Sequence, residues 1–312
     1  MKNQQKKIAI IVCASVMPSN IRSLDDHFSA LPELAIIAHP QYLAIDDLGV
    51  GTSTRAAAII DMVQRTWQQY DGFVIIAGVD DVLNLSALVS FSLTVITKPL
   101  VFTGCVAPTI VFNAAPDVGI KTNIINAVQV ATTGIAEVCL MFGNRLVRAT
   151  QAQYTSGETL NVVTGPASAL LGRVDFSVRI FEKLVRRSAR GDTAPARASM
   201  RAGVVCTIDT PTNADLDFSQ YHTDADVLIV HAGAYRTVPE HRLASYAAAS
   251  VPVIVWHPSP QPDCTQAVCM VTNLTWHTVL AKALFAPPRV TTVRQWHAWL
   301  QQDMVGELLH DL

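Results

Sequence analysis

One stretch limits what this chain can fold into more than any other. It runs Tyr70-Asp-Gly-Phe-Val-Ile-Ile-Ala-Gly-Val-Asp-Asp81, continues through leucine-rich sequence to Leu93, and resumes at Lys98-Pro-Leu-Val-Phe-Thr-Gly104. Phe73 to Ile76 is a short apolar run rich in β-branched residues, the pattern of a strand buried on both faces. Ala77-Gly78 breaks it. Asp80 and Asp81 stand where a helix begins, since acidic side chains suit the positive end of the helix dipole. Leu83, Leu85, Leu88, Val89 and Leu93 recur at helical spacing, Pro99 closes the connection, and Leu100-Val101-Phe102 opens another strand. In a parallel sheet the loop after such a strand lies at the ligand-binding edge, so Ala77 to Asp81 is where chemistry is expected.

The rest of the chain repeats this grammar. Lys7 to Val12 reads as a first buried strand, followed by Cys13-Ala14-Ser15. Residues 19–50 read as loop, with a strand at Leu34 to Ala38. An amphipathic helix is expected from Arg55 to Gln69, another over Asn123 to Thr132, and a strand and turn over Glu137 to Arg148. Residues 187–201 are small, polar and proline-bearing, which predicts a linker whose arginines are solvated. Beyond it lie strands at Gly203 to Ile208, Val227 to His231 and Val251 to Trp256, with helices at Glu240 to Ala249, Asn273 to Leu284 and Val293 to Leu300. The expected fold class is α/β: a larger N-terminal parallel-sheet domain over residues 1–186, and a smaller Rossmann-like domain over 202–312.

Composition narrows the function. With 312 residues and half of them hydrophobic, the chain can bury a large core. A net charge of −2 without a basic cluster argues against nucleic acid as a partner. No apolar run approaches the ~20 residues of a membrane span, and Ile8 to Val12 is too short for a signal segment. The six cysteines are scattered, which suits reduced thiols in a cytoplasmic protein. His222, His231, His241, His257 and His277 fall on different elements, so no metal site is expected. His231 and His257 both end strands and can meet in space, although ordinary polar roles are commoner for imidazole.

Tyr70-Asp-Gly-Phe-Val-Ile-Ile-x-Gly-x-Asp80, the Ser86-Ala-Leu-x-Ser-Phe91 helix and Lys98-Pro-Leu-Val-x-Thr-Gly104 resemble the bacterial L-asparaginase family, closest to its cytoplasmic type. Asn123-Ile-Ile-Asn126-Ala and Glu137-Val-Cys-Leu-Met-Phe142-x-x-Arg145-Leu-x-Arg148 are similar to two further blocks of that family. The resemblance implies an asparaginase-like two-domain fold, no cofactor and a homo-oligomer, dimer or tetramer, with sites at subunit interfaces. It also sets out which groups are replaced. Where the family has His-Gly-Thr-Asp-Thr, this chain has Ala77-Gly78-Val79-Asp80-Asp81, so Val79 stands for a catalytic threonine and Asp80 is kept. Ala14 or Ser15 takes the place of the nucleophilic threonine. Ser15 is either a surviving nucleophile or a turn residue. Thr52 and Ser53 lie where the family binds the substrate carboxylate, either holding an anion or capping the helix.

Tyr154 replaces the family's lysine. With a pKa near ~10 it can donate a proton but supplies no positive charge, and packing is the plainer role. Arg236 falls in a substrate-contacting loop, and Asp117-Val-Gly119 approximates another. His277 replaces a glutamate that binds the substrate amine from a neighbouring subunit. Three functions follow from these replacements. The first is a degenerate asparaginase without amide hydrolysis, acting as a small-molecule-binding, scaffold or regulatory protein, alone or beside an active partner subunit. The second is a hydrolase of altered chemistry using Ser15, Asp80, Asp81, Tyr154 and Cys105, with the adjacent acids doing acid–base work or holding a cation. The third is a structural subunit whose cleft is filled by Val79, Tyr154 and Tyr235.

Overall fold

A computed structural model describes residues 5–16, 24, 28–29, 31–46, 50–105, 118–155, 161–186, 192–201, 204–209, 225–233, 238–259 and 268–309, with the side chains of 15, 105, 118–120, 204, 206, 208, 209, 242 and 245 excepted. It divides into two compact units, Met1–Arg197 and Ala198–Leu312.

The first unit is built on an eight-stranded sheet of order β10-β9-β6-β5-β4-β3-β1-β2. Strands β1 (Lys7–Cys13), β2 (His39–Ile45), β3 (Gly72–Gly78), β4 (Leu100–Cys105) and β5 (Val138–Phe142) are parallel neighbours. The central ones are apolar throughout, as strands covered on both faces must be: Ile8 to Cys13 and Phe73 to Ile76 are buried without a break. The sheet then turns antiparallel through β6 (Arg145–Arg148), β9 (Leu170–Val174) and β10 (Val178–Ile180). A separate two-stranded ribbon pairs β7 (Gln153–Tyr154) with β8 (Val163–Thr164).

Helix α1 (Glu33–Ile37) precedes β2, and α2 (Thr52–Thr66) buries Ala56, Ile59, Ile60 and Val63, a helical stripe. Helix α3 (Val79–Ser92) is buried on every side from Val82 onward. Ser86 and Ser90 are satisfied within the helix: Ser86 Oγ donates to the Leu83 carbonyl at 3.2 Å and Ser90 Oγ to the Ser86 carbonyl at 2.7 Å. This agrees with the helix expected after Ala77-Gly78, as β3 and β4 agree with the expected strands.

Helix α4 (Val118–Ala131) explains one of the family-like blocks. Asn123 Oδ1 accepts the Gly143 N–H at 2.7 Å and Asn126 Nδ2 donates to the Gly143 carbonyl at 2.8 Å. Gly143 has φ 57°, which lets β5 turn sharply into β6. The other block contains an ion pair. Arg148 donates twice to the Glu137 carboxylate (2.7 and 3.0 Å), which also accepts the Arg186 N–H at 2.6 Å. Both side chains are buried, and two parallel hydrogen bonds are the geometry that makes such a pair tolerable.

Two expectations fail here. Leu34 to Ala38 lies within and just beyond α1 rather than in a strand, and the Ala38 N–H closes an i→i−4 bond to Leu34. Only Leu34 of Glu33–Ile37 is buried, and five apolar residues fit either period. The strand is instead β2, hidden in a stretch read as loop because it contains Pro40. Proline is admissible there because β2 is an edge strand.

The second unit carries a four-stranded parallel sheet, β11 (Val204–Asp209), β12 (Ala225–His231), β13 (Val253–Trp256) and β14 (Val268–Val271), in that order. Alternate residues feed two cores: Val227, Ile229 and Ile254 pack with Trp296 and Trp299, while Leu228, Val230 and Val253 pack with Tyr246. Helices α5 (Glu240–Ala247), α6 (Trp276–Leu284) and α7 (Val293–Leu300) fall where expected, and Thr292 with Gln295 forms a capping box for α7. β14 was not anticipated, since four apolar residues carry too little pattern. Nor are the arginines of the 187–201 stretch all solvated. Arg201 is 6% exposed, pairs with Asp226 at 2.9 Å, donates to the Val290 carbonyl and lies over the Trp296 ring.

Lys282 and Glu307 are fully buried and joined at 2.6 Å. Lys282 also donates to the Leu300 and Gln302 carbonyls, closing the C-terminal end of α7, while Glu307 accepts the Met304 and Val305 N–H groups. Lys282→Met strips the charge from one partner and leaves the other buried. It should cost about 3–5 kcal/mol, read as a lower urea midpoint for the second unit. An unchanged midpoint would contradict the pairing.

Candidate functional site

Parallel register brings several sequence-predicted residues to one edge. Val12 lies opposite Ile76, and Gly78 opposite Cys105, so β1, β3 and β4 finish side by side. Gly104 lacks a Cβ that would come within 2.3 Å of the Ala77 carbonyl, so the last residues of β4 and β3 press together only because it is glycine. A short 3₁₀ turn, Ala14–Val16, follows β1, and Val16 Cγ1 sits 3.8 Å from where a Cβ on Gly78 would be. The backbone of Ser15 therefore borders the Gly78-Val79 corner. The side chains of Ser15 and Cys105 lie outside the described residues.

Gly78 is the N-cap of α3, and Asp80 and Asp81 occupy its first turn. Their fates differ. Asp80 is exposed, whereas Asp81 forms an ion pair with Arg55 of α2, whose side chain is 11% exposed. Arg55 also donates to the Val50 carbonyl at 3.4 Å. Acid–base work or a shared cation was one reading of the adjacent acids, with Asp81 opening the helix as the other; both stand in the first turn, and Asp81 is paired with a guanidinium. Sequence reading missed Arg55. The available signal was a first-turn acid beside an apolar strand end, which needs a counter-charge when half-buried. Thr52 and Ser53 lie in the first turn of α2, close to Arg55 in sequence, but neither caps it: the N-cap is Gly51, without a side-chain hydrogen bond.

Tyr154 reaches the same corner. It sits in β7, and its hydroxyl donates to the Val79 carbonyl. Partial burial, with Asp80 and Asp81 nearby, pushes the phenol up to about 12, against an opposing effect from the Leu83 backbone. It is therefore a protonated donor throughout the neutral range. Packing alone, the plainer expectation, does not describe it. Together the corner holds an apolar side chain at Val79, a phenol pinned to that residue's backbone, a neutralised Asp81 and a solvated Asp80. Such a set can donate hydrogen bonds and present one negative charge.

In the second unit, His277 is the second residue of α6. Its neighbours are aromatic: the His231 ring at the end of β12 lies 4.7 Å from the Trp256 ring and 4.8 Å from that of Trp276. His231 thus meets Trp256, Trp276 and His277, and His257 Nδ1 accepts the Ser259 N–H at 3.1 Å. Burial, with a smaller contribution from His231, lowers the His277 pKa to about 4. Arg236, Tyr235 and Asp117 lie outside the described residues. Among the described residues, no group of three or more His, Cys, Asp or Glu side chains converges to hold a metal ion.

The His277 shift fixes a pH dependence. Below the ordinary value of 6.5 the unfolded chain binds a proton that the folded chain refuses until about 4. Stability from this residue is therefore complete above neutrality and falls as pH drops from 6.5 towards 4. Melting temperatures followed from pH 7.5 to 4.5 should decline less steeply in His277→Gln than in the parent. Identical slopes would remove the basis for this reading.

Comparison with known proteins agrees with the architecture. The family model described as asparaginase, N-terminal, matches residues 6–186. The 60 kDa lysophospholipase of Mus musculus is 30% identical over 154 residues, which are 49% of this chain and 27% of that protein. L-asparaginase 1 of Escherichia coli K12 is 27% identical over 136 residues, 43% of this chain and 39% of that one. The matched stretches thus span well under half the length of these curated relatives. Among solved structures, L-asparaginase I from Vibrio cholerae superposes with a TM-score of 0.75 at 19% identity, covering 97% of this chain and 99% of its own. The thermostable L-asparaginase from Thermococcus kodakarensis gives 0.74 at 17% identity, covering 98% and 100%. With the family model matching more than half of its length, the chain belongs to the asparaginase family.

Proposed function

We propose that this chain uses the asparaginase fold without L-asparagine amidohydrolase activity, as a small-molecule-binding, scaffold or regulatory protein of the cytoplasm. In this reading it assembles as a homo-oligomer or beside an active partner subunit. The observation that carries the reading is the contact between Tyr154 and Val79. Amide hydrolysis through a covalent intermediate needs a hydroxyl made nucleophilic by a base or a lowered pKa, and a partner that shuttles its proton. At the corner of β3 and α3 the residue that would carry the second hydroxyl is a valine. The residue that would carry a cation is a phenol with a raised pKa, donating to a carbonyl. A donor so placed cannot act as a base near neutral pH. Losing cooperating groups costs orders of magnitude in rate, and the losses do not add simply.

A second reading rests on a different observation. Ser15 follows β1 directly at the edge shared with β3, and two similar proteins, from mouse and human, bear the name 60 kDa lysophospholipase. A hydrolase of altered chemistry, acting on another small amide or ester through Ser15 and Asp80, is the alternative.

Purified protein incubated with L-asparagine or L-glutamine should release no ammonia above buffer. Turnover at the usual enzymatic scale of about 1 per second or more would overturn the first reading. Fatty-acid release from lysophosphatidylcholine, abolished by Ser15→Ala and by Asp80→Asn, would establish the second.

A further inference from the structure

The antiparallel end of the large sheet carries a row of like charges. Arg145 of β6 lies directly opposite Arg173 of β9, and Arg173 lies directly opposite Arg179 of β10. Residues paired across strands point to the same face, so three guanidinium groups project side by side. At ~4.8 Å between strands the row is roughly 10 Å wide at the backbone. Arg173 and Arg179 are exposed and Arg145 is half-buried. None of the three has an acidic partner among the described residues. Like charges directly opposite one another destabilise a sheet, so the row works against the fold that displays it.

Beside the row stands an aromatic residue in an equally uneconomical place. The β9–β10 hairpin turns at Asp175-Phe176-Ser177, and the Phe176 side chain is as open to solvent as in an isolated residue. The tip is tied down nonetheless. Asn144 Nδ2 donates to Asp175 Oδ1 at 2.9 Å, the Val174 N–H donates to the Asn144 carbonyl at 3.0 Å, and the Asp175 N–H bonds to the Ser177 carbonyl. The one carboxylate within the hairpin is thus turned onto Asn144. Phe176 is held out on a fastened support, three residues from Arg173 on one side and from Arg179 on the other.

We propose that this face, Arg145, Arg173 and Arg179 with Phe176, is a docking surface for an acidic segment of another protein that offers carboxylates beside apolar side chains. Arginine and exposed aromatic side chains are the residue types that dominate binding energy at protein interfaces. Charge complementarity selects the partner: unpaired guanidinium groups in a row match carboxylates, bidentately and with defined geometry. A nucleic-acid strand fits less well. Three cations on a chain of net charge −2 give little counterion release, and one aromatic ring gives little stacking.

The test uses the full chain and a fluorescein-labelled peptide of alternating glutamate and leucine, followed by fluorescence anisotropy. Binding should weaken with added salt, and by roughly tenfold or more in Arg173→Glu/Arg179→Glu. Phe176→Ser should weaken it with the salt dependence kept, since it removes apolar contact and no charge. These three positions are exposed, and a glutamate at 173 turns the pairing with Arg145 from repulsive to attractive, so melting temperatures should not fall below the parent value. No binding of the peptide, or equal binding by parent and variants, overturns the proposal. Tighter binding of labelled oligothymidylate than of the peptide overturns it in favour of nucleic acid. A dimer of the parent chain that dissociates in the double variant, seen by light scattering without peptide, overturns it in favour of self-association.

Discussion

The constraint on which everything else rests is burial of the central parallel strands on both faces. Ile8 to Cys13 and Phe73 to Ile76 touch no water along their length, so no polar side chain has a place there. Chemistry is confined to where the strands stop. Because β1, β3 and β4 run in parallel register, their ends coincide, and the first residues beyond them become neighbours however far apart they are in sequence. Val79, Asp80 and Asp81 follow β3 at that edge, and Tyr154 of β7 and Arg55 of α2 reach them through their side chains. The edge is a consequence of the core.

What gathers at that edge is closed by two contacts. The Tyr154 hydroxyl reaches the carbonyl of the first residue of α3, and Arg55 of α2 reaches the second acid of the same helix. Both fasten the start of α3 to other elements. A catalytic corner works the other way: its donors and acceptors are left for the substrate, preorganised but unspent. Here the hydrogen-bonding capacity of Val79's backbone and the charge of Asp81 are used internally. Asp80 alone keeps its charge towards solvent. The two contacts make the start of α3 a rigid corner.

Much of the fold was legible because its signals are local. The strand at Phe73 to Ile76, the break at Ala77-Gly78 and the helix after it need only side-chain period and helix-end chemistry, and β1, β4, β12, β13 and α7 follow by the same rules. The failures have two causes. α1 and β14 are five and four residues long, too short for either period to declare itself. β2 was masked by Pro40, which only its edge position permits. The site was legible as a place but not as a set of contacts. Tyr154 stands 75 residues from Val79 and Arg55 stands 26 from Asp81. No periodicity reports a partner at such distances. Arg201 shows the same limit, since its burial depends on Asp226, Val290 and Trp296 arriving around it.

The blocks that carry the family resemblance turn out to be structural parts. Asn123 and Asn126 hold the Gly143 turn from a neighbouring helix, and Glu137 with Arg148 locks the hairpin that the turn creates. Lys98 donates to the Trp67 and Tyr70 carbonyls, fixing the approach to β3. Each is a buried or half-buried polar group whose removal would leave partners unsatisfied, a cost that falls on folding whatever the protein does. A match in such blocks therefore speaks for the fold. Likeness in these blocks measures the scaffold, and the chemistry has to be judged at the strand ends, residue by residue.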